Sequence, residues 1–362
     1  MGATAGAGPL QVAVVGAGVF GRNHLRVYRE LEQAGCAVEL AAVVDPDAGA
    51  RAKAEGEFGV RGFATIAECM AWARTEKKWI GAASVCVPTV HHAACARELM
   101  ACGIDLLIEK PMAASLEEAD EILREAHELG RVVQVGHLER FNPAVRAVRT
   151  LLNRPMFFEV HRLSVFTPRS LDVDVVLDLM IHDLDIVMSL VDSPVREVRA
   201  VGLPVLSNKV DIANVRLEFE NGCVANFTAS RVSTERVRKM RFFQPHQYLS
   251  LDFARQDLLV IDVADVAKLA GMDAGQLAAM ASAAGASGGG MGDHPSAGLS
   301  LRKAPVEAGE PLRLEIEAFL DAVRTGGRPV VTAEDGRAAL ALALEINASI
   351  AAHAQSTGLT RH

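Results

Sequence analysis

The sequence predicts an α/β fold: an N-terminal doubly wound parallel sheet, then an α+β domain with a large open, mainly antiparallel sheet. Three observations carry that expectation. Through the first third, short and nearly all-apolar strand segments alternate with helical ones, the pattern of parallel strands buried on both faces. A Gly16-x-Gly18-x-x-Gly21 run stands between the first strand and the first helix. Beyond Gly136 helices become sparse, and longer strands follow one another with turn signals between them.

Taken in order, Gln11–Val15 (QVAVV) is a short buried strand, and Asn23–Gln33 has helical spacing. Val38–Val44 (VELAAVV) is a second buried strand, ended by Asp45-Pro46. Ala83–Val87 predicts a strand, His91–Ala101 a helix, Asp105–Ile108 a strand, Leu116–Leu129 a helix and Val132–Val135 a strand. Asn142 is a good N-cap with Pro143 at the first helical position, opening a helix to about Leu152. Strands follow at Met156–Arg162, Val195–Leu203, Asp211–Phe219, Cys223–Val232, Val237–Phe243 and Tyr248–Asp252, with Glu220-Asn221-Gly222 as a hairpin turn. Ala264–Ser300 is rich in Ala, Gly and Ser and is expected to be a flexible insertion. Helices near Pro311–Thr325 and Ala333–Ala352 close the chain. The domains expected are therefore 1–136 and 137–362, the second carrying 264–300 as an insertion.

Composition narrows the function. The chain has 362 residues, enough for about two domains. Its formal net charge is −8 and only 5% of it is aromatic. Neither an electrostatic attraction to nucleic acid or anionic membrane nor a base-stacking platform is expected. No uncharged apolar run reaches the ~18–20 residues of a membrane span. The start, MGATAGAGPL, lacks a basic segment and an apolar core, so no secretory signal is expected. The six cysteines show no C-x-x-C pair and no finger spacing, which suits reduced thiols in the cytoplasm.

The glycine run has a mechanical reading. Gly16 permits a tight turn, Gly18 lets backbone approach a pyrophosphate, and Gly21 lets helix pack on strand, with the helix N-terminus facing the anion. Val19 and Phe20 lie within the same turn. Asp45, at the end of the second strand, stands near the interval at which an acid meets the adenosine ribose hydroxyls. It repels a 2′-phosphate, so NAD is favoured over NADP. Together these features predict a Rossmann domain. Glu109, Lys110 and Pro111 follow a buried strand, where ligands bind in open α/β sheets. On a helix, Asp178 and His182 share a face, with Asp185 near it, in a run of apolar residues. Such a pair tunes a proton carrier near neutral pH. It serves equally as a satisfied core pair. A metal site with Asp183 is disfavoured, because Asp183 points to a different face. His91, His92 and Cys95 lack a fourth ligand at familiar spacing, so no metal is expected.

Read together, these motifs resemble the Gfo/Idh/MocA family of oxidoreductases. They are GAGVFGRNH, Val87-Pro88-Thr89 with His92, Glu109-Lys110-Pro111, Gly136-His137 with Arg140-Phe141-Asn142-Pro143, and Asp178-x-x-x-His182-x-x-Asp185. Glu315–Arg328 (EIEAFLDAVRTGGR) and the helix start at Glu334-Asp335-Gly336 extend the likeness to nearly the whole chain outside the insertion. The resemblance implies that Gly16, Gly18, Val19, Phe20, Gly21, Asp45, Pro88, His92, Glu109 and Lys110 hold NAD. It implies that Lys110 binds and polarises the reacting hydroxyl, that His182 takes its proton, and that Asp178 orients the pair or the substrate. His137, Arg140, Asn142, Asp178 and His182 are implied as substrate contacts. Oligomerisation through the C-terminal sheet, as homodimer or homotetramer, is implied too. One departure is visible: Asp172-Val173-Asp174-Val175-Val176 replaces the glycine-rich run that many members carry before the Asp-x-x-x-His helix.

Within the family, GHLERFNPA and DVVLDLMIHDLDIV are most similar to nucleotide-sugar 3-dehydrogenases of the UDP-N-acetylglucosamine type, whose 3-keto product serves a transamination in lipid A synthesis. Arg231, Arg236, Arg238, Lys239 and Arg241 form a basic run. On a strand Arg236 and Arg238 project to one face, where they would meet a diphosphate. A solvated or subunit-facing basic strand reads equally well. The expected activity is NAD-dependent oxidation of a sugar hydroxyl. The alternatives are a free-sugar or inositol dehydrogenase and a non-catalytic dinucleotide sensor.

Overall fold

The structure, a computed structural model, describes residues 8–167, 173–263 and 299–358. The chain parts into two compact units, Met1–Phe141 with Glu310–Ala341, and Asn142–Gly309 with Leu342–His362. The expected insertion at 264–300 lies outside the described residues, except that Leu299–Lys303 is a strand.

In the first unit, strands β1 (Leu10–Val15), β2 (Val38–Val44), β3 (Arg61–Phe63), β4 (Ile80–Val85), β5 (Asp105–Glu109) and β6 (Val133–Gly136) form one parallel sheet. Its order is β3-β2-β1-β4-β5-β6, the doubly wound order that leaves a ligand crevice between β1 and β4. The helices are α1 (Val19–Gln33), α2 (Ala48–Phe58), α3 (Ile66–Thr75), α4 (His92–Ala101) and α5 (Leu116–Leu129). Asp47, Thr65 and Ser115 cap α2, α3 and α5 by accepting from backbone N–H groups.

Three elements of this unit were not expected from the sequence. Helix α2 (AGARAKAEGEF) buries only Ala54, so it has no apolar stripe to read. Strand β3 is three residues long. Helix α3 is signalled chiefly by its Thr65 cap with Glu68 in the first turn.

Helix α8 (Pro311–Thr325) also belongs here, unlike the expected division at 136. Its Leu312, Ile316, Phe319 and Leu320 join Val12, Val14, Leu25 and Leu31 in one buried cluster. Residues remote in sequence thus complete the core under β1.

The second unit is built on strands β7 (Phe157–Val165), β8 (Val195–Leu203), β9 (Ile212–Phe219), β10 (Val224–Ser233), β11 (Val237–Gln244), β12 (Gln247–Asp252), β13 (Asp257–Val263) and β14 (Leu299–Lys303). Their order is β14-β13-β12-β11-β7-β10-β9-β8. Only β7 and β10 run parallel, and the other neighbours are antiparallel. Burial alternates along β7 and β9, so one face is core and the other is half-exposed. Helix α6 (Pro143–Arg149), a π-turn at Val176–Met180 and helix α7 (Ile181–Leu190) complete this unit, with the later turns of α9 (Ala333–Ser356).

Candidate active site

The phosphate turn follows β1. Gly16 has φ +98°, and a Cβ there would sit 2.7 Å from the carbonyl of Cys86. At Gly21 a Cβ would meet the Gly16 carbonyl oxygen at 1.8 Å. Neither position tolerates a side chain, because α1 is pressed against the end of the sheet. At Gly18, by contrast, a Cβ would find no atom within 4 Å, so open space lies over the turn. No side chain caps α1 at Gly18, which leaves its first N–H groups for an anion. Val19 and Phe20 are exposed beside it.

Asp45 ends β2. Its Oδ2 accepts from the Ala17 N–H at 2.7 Å and its Oδ1 from the Asp47 N–H at 2.8 Å. Each oxygen keeps a further lone pair for a ribose hydroxyl. A cavity of about 680 Å³ opens beside the turn, lined by Ala17, Gly18, Val19, Arg22, Asp47 and Lys53 among others. A glycine cradle, an uncapped helix start and an acid with spare lone pairs fit a dinucleotide.

Pro88 is exposed just past β4 and precedes a 3-10 turn, Thr89–His91. Lys110 leaves the carboxyl end of β5, half-buried, with a cis peptide to Pro111. The sequence suggested His92 and Glu109 as cofactor contacts, and both also make contacts within the protein. His92 is buried, with Nδ1 2.9 Å from the Pro111 carbonyl oxygen and Nε2 2.9 Å from that of Val87. It ties the loop after β5 to the loop after β4. Burial lowers its imidazole below the ordinary histidine range, which favours the neutral ring.

Glu109 meets His24 of α1, with Nε2 to Oε1 at 2.9 Å. His24 Nδ1 lies 3.0 Å from Ser84 Oγ, which lies 2.9 Å from the Tyr28 hydroxyl. Glu315 of α8 completes the group: one ligating atom from each of His24, Glu109 and Glu315 lies within 4.8 Å of the other two. Sequence reasoning missed His24, Tyr28, Ser84 and Glu315. His24 stood inside the GAGVFGRNH motif, and its spacing of one helical turn from Gly21 was the available signal.

In the second unit, Asp178 sits in the π-turn Val176–Met180 and His182 in the first turn of α7. The α-helical spacing argument therefore applies only in part, since a π-turn inserts a residue into the helical register. Both side chains are half-buried. The fully buried acids of this segment are Asp183 and Asp185. Asp183 accepts two bonds from Arg162, at 2.7 and 2.8 Å, and so serves the sheet.

Asn142 and Arg140, suggested as substrate contacts, are buried. Asn142 caps α6 by accepting from Ala144 N–H and donates to the Phe253 carbonyl at 3.1 Å. Arg140 lies 3.7 Å from Asp335. His137 is buried directly after β6. Arg236 and Arg238 were expected on one strand face. Arg236 stands just before β11, so only Arg238 has a strand direction, and both are exposed.

A family model described as the oxidoreductase family with NAD-binding Rossmann fold matches residues 10–137. The GFO/IDH/MocA C-terminal domain model matches 123–244. The chain is 34% identical over 348 residues to the UDP-N-acetylglucosamine 3-dehydrogenase of Acidithiobacillus ferrooxidans, covering 96% of this chain and 99% of that one. A solved structure of that organism's UDP-N-acetylglucosamine 3-dehydrogenase superposes with a TM-score of 0.80 at 32% identity, over 95% of this chain and 98% of that one. The inositol 2-dehydrogenase of Leifsonia xyli subsp. xyli is 29% identical over 197 residues, 52% of this chain and 56% of that one.

Proposed function

The chain belongs to the Gfo/Idh/MocA family of NAD-dependent oxidoreductases, and from that premise we propose that it oxidises the 3-hydroxyl of UDP-N-acetylglucosamine to a ketone. The observation that carries the substrate is the 34% identity over 96% of the chain to an enzyme named for that reaction. Inositol dehydrogenases match it at 25–29% identity over 52–62% of its length.

NAD supplies the hydride acceptor, and the chain's residues supply position and charge. Gly16, Gly18 and Gly21 hold the pyrophosphate against the start of α1, and Asp45 accepts from the adenosine ribose. Lys110 donates to the reacting hydroxyl and stabilises the alkoxide as its charge develops. His182 takes the hydroxyl proton, oriented by Asp178. Arg238 is the better placed of the two exposed arginines to meet the diphosphate, since it alone of the pair lies on β11.

The 3-keto sugar then serves a transamination in lipid A precursor synthesis, in the cytoplasm. Among the described residues no helix is long and apolar enough to cross a membrane. The half-exposed face of the large sheet carries Phe157, Phe243 and Tyr248, with ring centroids 5.6 and 5.0 Å apart. An aromatic cluster there supports homo-oligomerisation through this sheet.

The test is the rise of NADH absorbance when NAD is mixed with UDP-sugars, free hexoses and inositols. Activity confined to UDP-N-acetylglucosamine supports the reading. Activity on inositol or a free hexose overturns the substrate, and NAD binding without turnover on any of them overturns the enzyme.

A further inference from the structure

The buried group behind Lys110 has an imbalance of donors. Glu315 is fully buried, and neither of its carboxyl oxygens has a hydrogen-bond partner among the described residues. The Glu109 carboxylate is its neighbour across β5. Two carboxylates this close cannot both stay ionised out of water, so one carries a proton. Burial first, and the charge of Glu109 second, push the Glu315 carboxyl well above the ordinary range.

Tyr28, Ser84, His24 and Glu109 form one row of hydrogen-bonded groups, with successive contacts of 2.9, 3.0 and 2.9 Å. The titratable groups facing Glu315 are His24 and Tyr28 from α1, Cys86 after β4 and Glu109 from β5.

We propose that Glu315 is a positioning residue: its neutral carboxyl donates its hydrogen to the Glu109 carboxylate through one bridging water. With His24 on the other side it locks the strand end from which Lys110 leaves. Glu109 is then held from two sides, by Glu315 of α8 and by His24 of α1. It is fixed one residue from the lysine that meets the substrate. A strand end held from α1 and α8 together cannot drift, and misplacing a catalytic group by about 1 Å costs on the order of 100-fold in rate. The role of Lys110 in this argument rests on the activity proposed above.

Two variants and two readouts test it. The infrared arm needs no substrate, so it stands even if the sugar assignment fails. The parent protein is expected to show the carbonyl stretch of a neutral carboxylic acid, and Glu315→Gln and Glu315→Leu to lack it. In the kinetic arm Glu315→Leu is expected to lower kcat by about 10- to 100-fold, with KM for NAD within about threefold. Glu315→Gln, whose amide still donates to the bridging water, recovers most of that loss. Thermal unfolding confirms that each variant is folded. Three results overturn the proposal: no neutral-acid band in the parent, equal kcat for the Gln and Leu variants, or a stoichiometric metal ion bound by His24, Glu109 and Glu315.

Discussion

Single residues divide here between those that touch ligand and those that hold the touching residues still. Lys110 and His182 are proposed for the first kind. Lys110→Ala and His182→Ala are each expected to lower turnover by about 100-fold or more. NAD affinity should hold, because the proposed cofactor contacts are Gly16–Gly21 and Asp45. Circular dichroism, NAD titration and turnover on the two variants decide this. Folded variants with near-normal turnover would remove both residues from the mechanism. Asp45 is proposed to set cofactor choice, by a different route. Both its oxygens already accept backbone N–H groups, so its charge is held at the turn. Asp45→Ser combined with Pro46→Arg is expected to shift kcat/KM from NAD toward NADP, since the repulsion of a 2′-phosphate goes and a cation arrives. Steady-state kinetics with both cofactors measure the shift, and a parent enzyme that already prefers NADP would refute the ribose role of Asp45.

Elements owe their placement to a few buried polar joints. The connection from β8 to β9 is one. Asp211 Oδ2 accepts from the N–H groups of Val205, Leu206 and Ser207 at 2.7, 2.7 and 2.8 Å, and Oδ1 accepts from the Ser207 hydroxyl at 2.7 Å. Burial pulls this carboxyl upward, but the hydroxyl and the three amides outweigh it and hold the group at about 2. A carboxyl depressed in the folded state favours folding above its unfolded value of about 3.9. That contribution is lost as pH falls through roughly 4 toward 2. Asp211→Asn is expected to destabilise the protein near neutral pH by about 2 kcal/mol and to lose part of the acid-limb dependence. Urea midpoints at pH 7 and pH 3 for parent and variant check it, and an equal drop in both would contradict the assignment.

At the scale of the molecule, the chain order and the folded units do not coincide. The first unit takes back residues 310–341 to finish its core. Within the second unit's segment Asn142–Gly309 lies the Gly/Ser-rich stretch, and the strands on either side of it constrain what it must do. Val263 of β13 and Leu299 of β14 are register partners in an antiparallel pair. A two- to five-residue turn is enough to join such ends. Replacing residues 264–298 by a short Asn-Gly turn is therefore expected to leave NAD affinity within about twofold and to keep or raise the melting temperature, since closing a shorter loop costs less entropy. Aggregation or loss of NAD binding in that variant would show that the stretch supports the fold.

The sequence by itself determined the parallel sheet, the phosphate turn, the acid at the end of β2 and the order of the longer strands. These are local facts: apolar runs, glycines where a Cβ has no room, and caps at helix starts are all written within about ten residues. Helices α5 and α8 and strand β8 have the boundaries their patterns predict. Helix α2 and strand β3 escaped because one buries almost nothing and the other is too short to show a period. Tertiary structure alone decided the rest. It brought Glu315 beside Glu109 and His24, although about 200 residues part the two glutamates in sequence. It also set His92 against two backbone carbonyls and made Asn142 a helix cap. Which buried polar group faces which depends on how helices and strands remote in sequence pack, and that information is not local.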